Sequence, residues 1–146
     1  MSYFNGPKIV TSGMQLYYDA ANVKSYPLTG TSLYDLSGNS RTGTLTNGPT
    51  FSGSNNGYIS FDGVDDYVSL PSNIVYQVGS FSIETWVYVP ANVATGERIF
   101  DFGTGTDNYM YLTAKSSSGN PRFAIKPVSS SEQTLDASSP LPLTEW

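Results

Sequence analysis

Five aspartates stand where this chain turns. Asp19 closes Leu16-Tyr17-Tyr18-Asp19, and Asp35 opens Asp35-Leu36-Ser37-Gly38-Asn39. Asp62, Asp65 and Asp66 punctuate Phe61-Asp62-Gly63-Val64-Asp65-Asp66-Tyr67-Val68. Loop oxygens are what Ca2+ takes: about six to eight of them, from carboxylates, amides and backbone carbonyls. Asp19, Asp35, Asp62, Asp65 and Asp66 are therefore the candidate Ca2+ ligands, with Asn39 able to add an amide oxygen. No EF-hand spacing is present. The same residue types also serve folding alone. Asp and Asn side chains bond nearby backbone amides, and Gly63 accepts the positive φ of a primed hairpin turn.

A second chemistry lies in the aromatic residues. Sugar recognition joins an aromatic ring, stacked on the apolar face of a pyranose, to neighbouring amide and carboxylate hydrogen bonds. Ser80–Val89 alternates with period two: Phe81, Ile83, Val87 and Val89 point one way with Thr85, and Ser82, Glu84, Trp86 and Tyr88 the other. Glu84, Trp86 and Tyr88 form the candidate carbohydrate-binding face, with Tyr109 and Tyr111 on a neighbouring strand. The alternative is that a loop covers Trp86 and Tyr88. Catalysis is not expected. Retaining glycosidases carry two carboxyl groups about 5–5.5 Å apart. Here Glu84 stands alone, Asp65 and Asp66 would face opposite sides of a strand, and Asp101 and Asp107 lie in or beside a Gly-rich loop. With no His and no Cys, the usual nucleophilic triads, thiolate zinc sites and disulfides are excluded.

The 146 residues fit one domain. Only 13% are charged, about half the usual share, so Ser, Thr, Asn and Gly must make the polar surface. The net charge is −5 and the seven basic residues are scattered singly, which argues against nucleic acid as a partner. The start Met1–Lys8 lacks the basic residues and apolar run of an export signal. No segment approaches the ~18 apolar residues of a membrane span.

The elements that must position these residues are strands. Apolar period two, with Gly and Pro as punctuation, predicts strands near Met14–Asp19, Gly57–Phe61, Tyr67–Leu70, Ser80–Val89, Arg98–Phe102, Tyr109–Ala114 and Arg122–Pro127, and a short one at Gly43–Leu45. Turns are expected at Asn39-Ser40, Asn47-Gly48-Pro49, Asn55-Asn56-Gly57, Asp62-Gly63, Gly103–Asp107 and Ser116–Pro121. Short strands at this spacing indicate an all-β sandwich or barrel.

Taken in order, Leu16–Ala20, Asp35–Asn39, Gly43–Pro49, Phe61–Val68, Phe81–Tyr88, Arg98–Phe102 and Leu141–Trp146 resemble a laminin-G-like, concanavalin A-type domain. The resemblance implies an antiparallel jelly-roll β-sandwich over residues 14–146, preceded by a leader or docking segment, 1–13. Family members continue past the position of Trp146 with further strands. The resemblance therefore implies either a fragment or strands supplied by another chain. The leader, with Asn5–Val10 and Asp19–Pro27, is similar to laminin-G-like domains of tailed bacteriophages. That narrower likeness implies a non-catalytic virion surface module (capsid, neck or tail-fibre decoration). Its partners would be other virion proteins or copies of itself, and host cell-surface glycans. The alternative is an extracellular carbohydrate-binding adhesin or an accessory module of a bacterial glycoside hydrolase.

Overall fold

Backbone hydrogen bonding divides the chain into short antiparallel ladders. The computed structural model describes residues 12–103 and 105–146, and residues 1–11 of the expected leader lie outside them. Nine strands follow in order: β1 (Ser32–Leu33), β2 (Gly43–Thr46), β3 (Thr50–Ser52), β4 (Tyr58–Ser60), β5 (Tyr67–Ser69), β6 (Arg98–Gly103), β7 (Tyr109–Thr113), β8 (Arg122–Lys126) and β9 (Gln133–Asp136). There is no α-helix among the described residues, and no helix long and apolar enough to cross a membrane. The all-β, antiparallel class expected from the sequence holds. Two compact units are distinguished, one ending at Phe81 and the other Ser82–Trp146.

In the first unit, β1-β2-β5 form one sheet and β3-β4 another. Leu33, Leu45 and Val68 from the first sheet meet Phe51 and Ile59 from the second around Tyr26 and Tyr18. This is a sandwich in miniature. Each sheet contributes the inward half of its alternating residues. Tyr26 and Phe51 rings lie 5.4 Å apart in a tilted pair. The connection from β2 to β3 is Asn47-Gly48-Pro49, in which Asn47 and Gly48 take positive φ, 71° and 118°, a conformation that Asn and Gly tolerate.

The second unit is one sheet in the order β6-β7-β8-β9. Its two faces differ sharply. Phe100 and Phe102 pair with Leu112 and Met110, which pair with Phe123 and Ile125, so one face is apolar across β6–β8, and on β9 it carries Leu135 and Gln133. The other carries Tyr109, Tyr111 and Thr113, with Lys126, Ala124 and Arg122 opposite them. A separate apolar cluster joins Val89, Val93 and Ala114, with Val87, Ile99 and Leu141 against it.

Two expected strands are not ladders. Met14–Asp19 has no strand partner, because its backbone is tied to the Asp35 loop instead. Tyr17 N–H donates to Asp35 Oδ1 (3.0 Å), and the Tyr17 carbonyl accepts from Leu36 N–H (2.8 Å). Ser80–Val89 is not a strand either. Alternation describes which way side chains point, but a strand exists only where a neighbour supplies its hydrogen bonds. Among the described residues, the Val89 carbonyl is the one backbone group of residues 81–89 with a backbone bond outside regular structure, from Thr144 N–H at 2.8 Å. Phe81 and Ile83, expected on a core face, are each 43% exposed. Conversely β1, β3 and β9 are strands that periodicity passes over. β9, Gln133-Thr134-Leu135-Asp136, is exposed throughout and is held by its ladder with β8 and by side-chain bonds to Asp136.

Candidate functional site

The polar face of the β6–β9 sheet gathers the residues best suited to bind a ligand. Tyr109 and Tyr111 sit two apart on β7, so their rings share a face and stack, with centroids 5.7 Å apart at 26°. Glu132, just before β9, caps them. Its Oε1 accepts from the Tyr109 hydroxyl at 2.8 Å and from the Tyr111 hydroxyl at 3.4 Å. That bond is the main cause holding Tyr109 above the usual tyrosine range, with desolvation adding to it. Tyr109 is therefore a hydrogen-bond donor here and not a ready phenolate nucleophile. Ala124 is fully buried opposite Tyr111, and both tyrosines are half-buried.

Arg98 belongs to the same face because β6 is irregular. The register slips between Arg98 and Phe100, a bulge of one residue. Strict alternation would put Arg98 beside Phe100 and Phe102. The bulge instead pairs it with Thr113, on the side of Asp101 and Tyr111. Its guanidinium carbon lies 3.4 Å from the centre of the Tyr111 ring, and its Nε is 3.4 Å from Asp101 Oδ2. Arg98 thus covers the Tyr111 ring, while Lys126 Nζ lies 6.0 Å from that of Tyr109. Arg122 grips Asp136 through both ends, Nε–Oδ1 2.6 Å and Nη2–Oδ2 2.9 Å. The hydrogen bond from Arg122 holds the Asp136 carboxyl below the usual range, against the opposing effect of desolvation.

The other expected sugar-binding residues do not join this face. β7 has both neighbours occupied, by β6 and β8, so the segment with Glu84, Trp86 and Tyr88 is not its partner strand. Trp86 is 78% exposed, Glu84 is exposed, and Tyr88 packs against Trp146 with centroids 5.5 Å apart.

The five aspartates also divide. Asp62, Asp65 and Asp66 offer carboxylate oxygens within 4.8 Å of one another. Asp66 Oδ2 accepts from Asp62 N–H (3.0 Å), but Asp66 Oδ1 is buried with no hydrogen-bond partner. Asn47 Nδ2 donates to the Asp65 carbonyl (2.8 Å), bringing the β2–β3 turn alongside. Three hard oxygen donors with one orphaned are a donor set that fits Ca2+. Asp19 and Asp35 lie outside this group. Asp35 spends both oxygens on the protein: Oδ1 on Tyr17 N–H and Ser37 N–H, Oδ2 on Ser37 Oγ–H (2.7 Å) and Arg41 N–H (3.1 Å). Burial pushes the Asp35 carboxyl up, but these bonds more than offset it and hold it below the ordinary value. Burial, then the charge of Asp35, pushes the Tyr18 phenol up to about 12. Asp19 likewise accepts from Ala21 N–H and the Tyr17 hydroxyl.

Residues 62–146, more than half of the chain, match the Laminin_G_3 family model, described as the concanavalin A-like lectin/glucanases superfamily. The chain belongs to this superfamily. One solved structure also matches: an S-layer domain-containing protein from Clostridium thermocellum ATCC 27405, 31% identical with a TM-score of 0.69. The alignment covers 90% of this chain, which spans 60% of the solved one. No curated protein matches the sequence.

In this laminin-G-like chain, sequence reasoning missed Arg98, Lys126 and Glu132. Alternation within Arg122–Lys126 places Arg122 and Lys126 on one side, a usable signal. Arg98 is hidden by the bulge. Glu132 has no periodicity around it and becomes visible only once β8 and β9 are paired.

Proposed function

We propose that this chain is a non-catalytic surface module that binds carbohydrate through the tyrosine face of its β6–β9 sheet. The observation that carries this is the Tyr109–Tyr111 pair with its hydroxyls fixed by Glu132. Rings, a carboxylate and flanking polar side chains converge on one half-buried sheet face, the combination that sugar recognition uses. Membership of the lectin/glucanase superfamily supports the reading, and so does a structural relative described as S-layer domain-containing, which favours an extracellular or cell-surface setting. Asp136 is engaged by Arg122, and Glu132 by two phenols.

Ca2+ belongs to the same reading as a structural ion. Asp62, Asp65 and Asp66 would hold it, and it would neutralise their crowded charge and satisfy Asp66 Oδ1. On a virion surface, the setting implied by the leader's likeness, the same module would pack on other virion proteins or its own copies and meet host glycans. That setting rests on the leader resemblance alone.

A glycan array with the chain and its Tyr109→Ala variant tests the reading. Defined oligosaccharides bound by the chain and lost in the variant support it. No bound sugar, or binding that Tyr109→Ala leaves intact, refutes it.

A further inference from the structure

The charges on the tyrosine face are not balanced, and the imbalance bears on what the site accepts. Each cation there already has a carboxylate: Arg98 with Asp101 (3.4 Å), Arg122 with Asp136 (2.6 Å) and Lys126 with Asp107 (3.4 Å). The fourth carboxylate, Glu132, forms no ion pair among the described residues. Its partners are the two tyrosine hydroxyls, both bonded to Oε1. Glu132 is exposed, and the two hydroxyls occupy only one of its oxygens. Three cations against four carboxylates leave an excess of one negative charge, seated beside the stacking rings.

Arg98 strengthens the point. The Arg98 charge is already shared: its guanidinium carbon lies 3.4 Å from the centre of the Tyr111 ring and its Nε 3.4 Å from Asp101 Oδ2. Of the two rings, that of Tyr109 has its nearest cation further off, at 6.0 Å.

We infer that the site takes uncharged saccharides, whose hydroxyls can donate to Glu132 while a sugar ring lies on Tyr109, and that it discriminates against uronates and sulfated glycans. This rests on the carbohydrate-binding reading above, and it names the substrate class and assigns Glu132 as the residue that sets it. A ligand carboxylate near Glu132 meets a like charge at roughly 5 Å, which in water-like surroundings lowers affinity about fourfold per contact. The effect weakens as salt screens it.

The test uses matched oligosaccharide pairs that differ only by oxidation at C6: mannan against mannuronate hexamers, and cello-oligosaccharide against its glucuronate. Titrations are run at low and high salt with the whole chain. The expected result is neutral over uronate by about fourfold or more at low salt, with the gap narrowing at high salt. Glu132→Gln keeps an oxygen for both tyrosine hydroxyls and removes the charge, so it should raise the uronate-to-neutral ratio by about three- to fivefold. Because a ratio is read, partial loss of folded protein does not disturb it. Uronates bound as well as or better than their neutral partners, or a ratio unmoved by Glu132→Gln, would overturn this inference while leaving sugar binding in place. Binding of neither member of any pair would overturn both.

Discussion

Replacing Asp35 by Ala should destabilise the chain markedly, and by the same amount with or without Ca2+. The carboxylate accepts from three backbone amides and one hydroxyl, linking Tyr17, Ser37 and Arg41 across a loop. A buried donor left without its acceptor costs about 1–3 kcal/mol. Ser37 Oγ can turn to water and the site is only partly buried, so the four losses do not add in full. A total of about 3–4 kcal/mol is expected, or a melting shift near 10 °C at roughly 3 °C per kcal/mol for a chain of this size. Asp35→Asn keeps one accepting oxygen and turns an NH2 toward the remaining donors, so about 1–2 kcal/mol is expected. The pH dependence follows from the lowered carboxyl. Its stabilisation is fully present above the ordinary aspartate value of about 3.9 and is lost as pH falls through the lower folded-state value. The assay is thermal unfolding by near-ultraviolet circular dichroism, in CaCl2 and in chelator, from pH 7 to pH 2. Asp35→Ala melting within about 2 °C of the parent, or a deficit that appears only with Ca2+, would refute the assignment of Asp35 as a backbone clamp.

Three other perturbations separate the remaining assignments. Ca2+ should raise the melting temperature of the parent and leave Asp66→Asn unmoved, and in chelator Asp66→Asn should be the more stable by about 0.5–1 kcal/mol because a like charge is gone; identical parent curves in CaCl2 and chelator would remove the ion. Gly103→Ala would place a Cβ 2.6 Å from Tyr109 Cβ and 2.7 Å from the Asn108 carbonyl, so a loss of about 1–3 kcal/mol with weakened sugar binding is expected, and an unperturbed melt and affinity would contradict the close approach. Trp86→Ala should leave glycan affinity within about twofold while Tyr109→Ala lowers it tenfold or more, since removing a stacked ring costs about 1–3 kcal/mol; the reverse order, read by titration calorimetry, would move the site to the Glu84–Tyr88 segment.

The strands legible in the sequence are those whose alternation coincides with pairing. Tyr67–Leu70, Arg98–Phe102, Tyr109–Ala114 and Arg122–Pro127 each lie within about a residue of an observed strand. Ser80–Val89 shows the limit of the method. Its alternation is as clean as any in the chain, yet pairing is a property of two segments, and no described residue pairs with it. The tyrosines were legible because both lie on one regular strand. Their neighbours were not, since Arg98 depends on a bulge and Glu132 on a loop. Among the aspartates, sequence could name all five as oxygen donors but could not tell a carboxylate already saturated by amides, as at Asp35, from one with a bare oxygen, as at Asp66.

The slip at Arg98–Phe100 carries a consequence for how such a module diversifies. One inserted residue exchanges the side on which Arg98 emerges and leaves the Phe100–Leu112 and Phe102–Met110 pairs in place. A single-residue insertion or deletion at that edge is therefore a one-step edit to the recognition surface that spares the Phe100 and Phe102 pairs and alters the packing of Ile99 against Val89, Val93 and Ala114. Lineages that gain or lose it would change ligand preference while conserving Phe100 and Phe102. For such lineages, gaps in a sequence alignment would track ligand choice better than substitutions do.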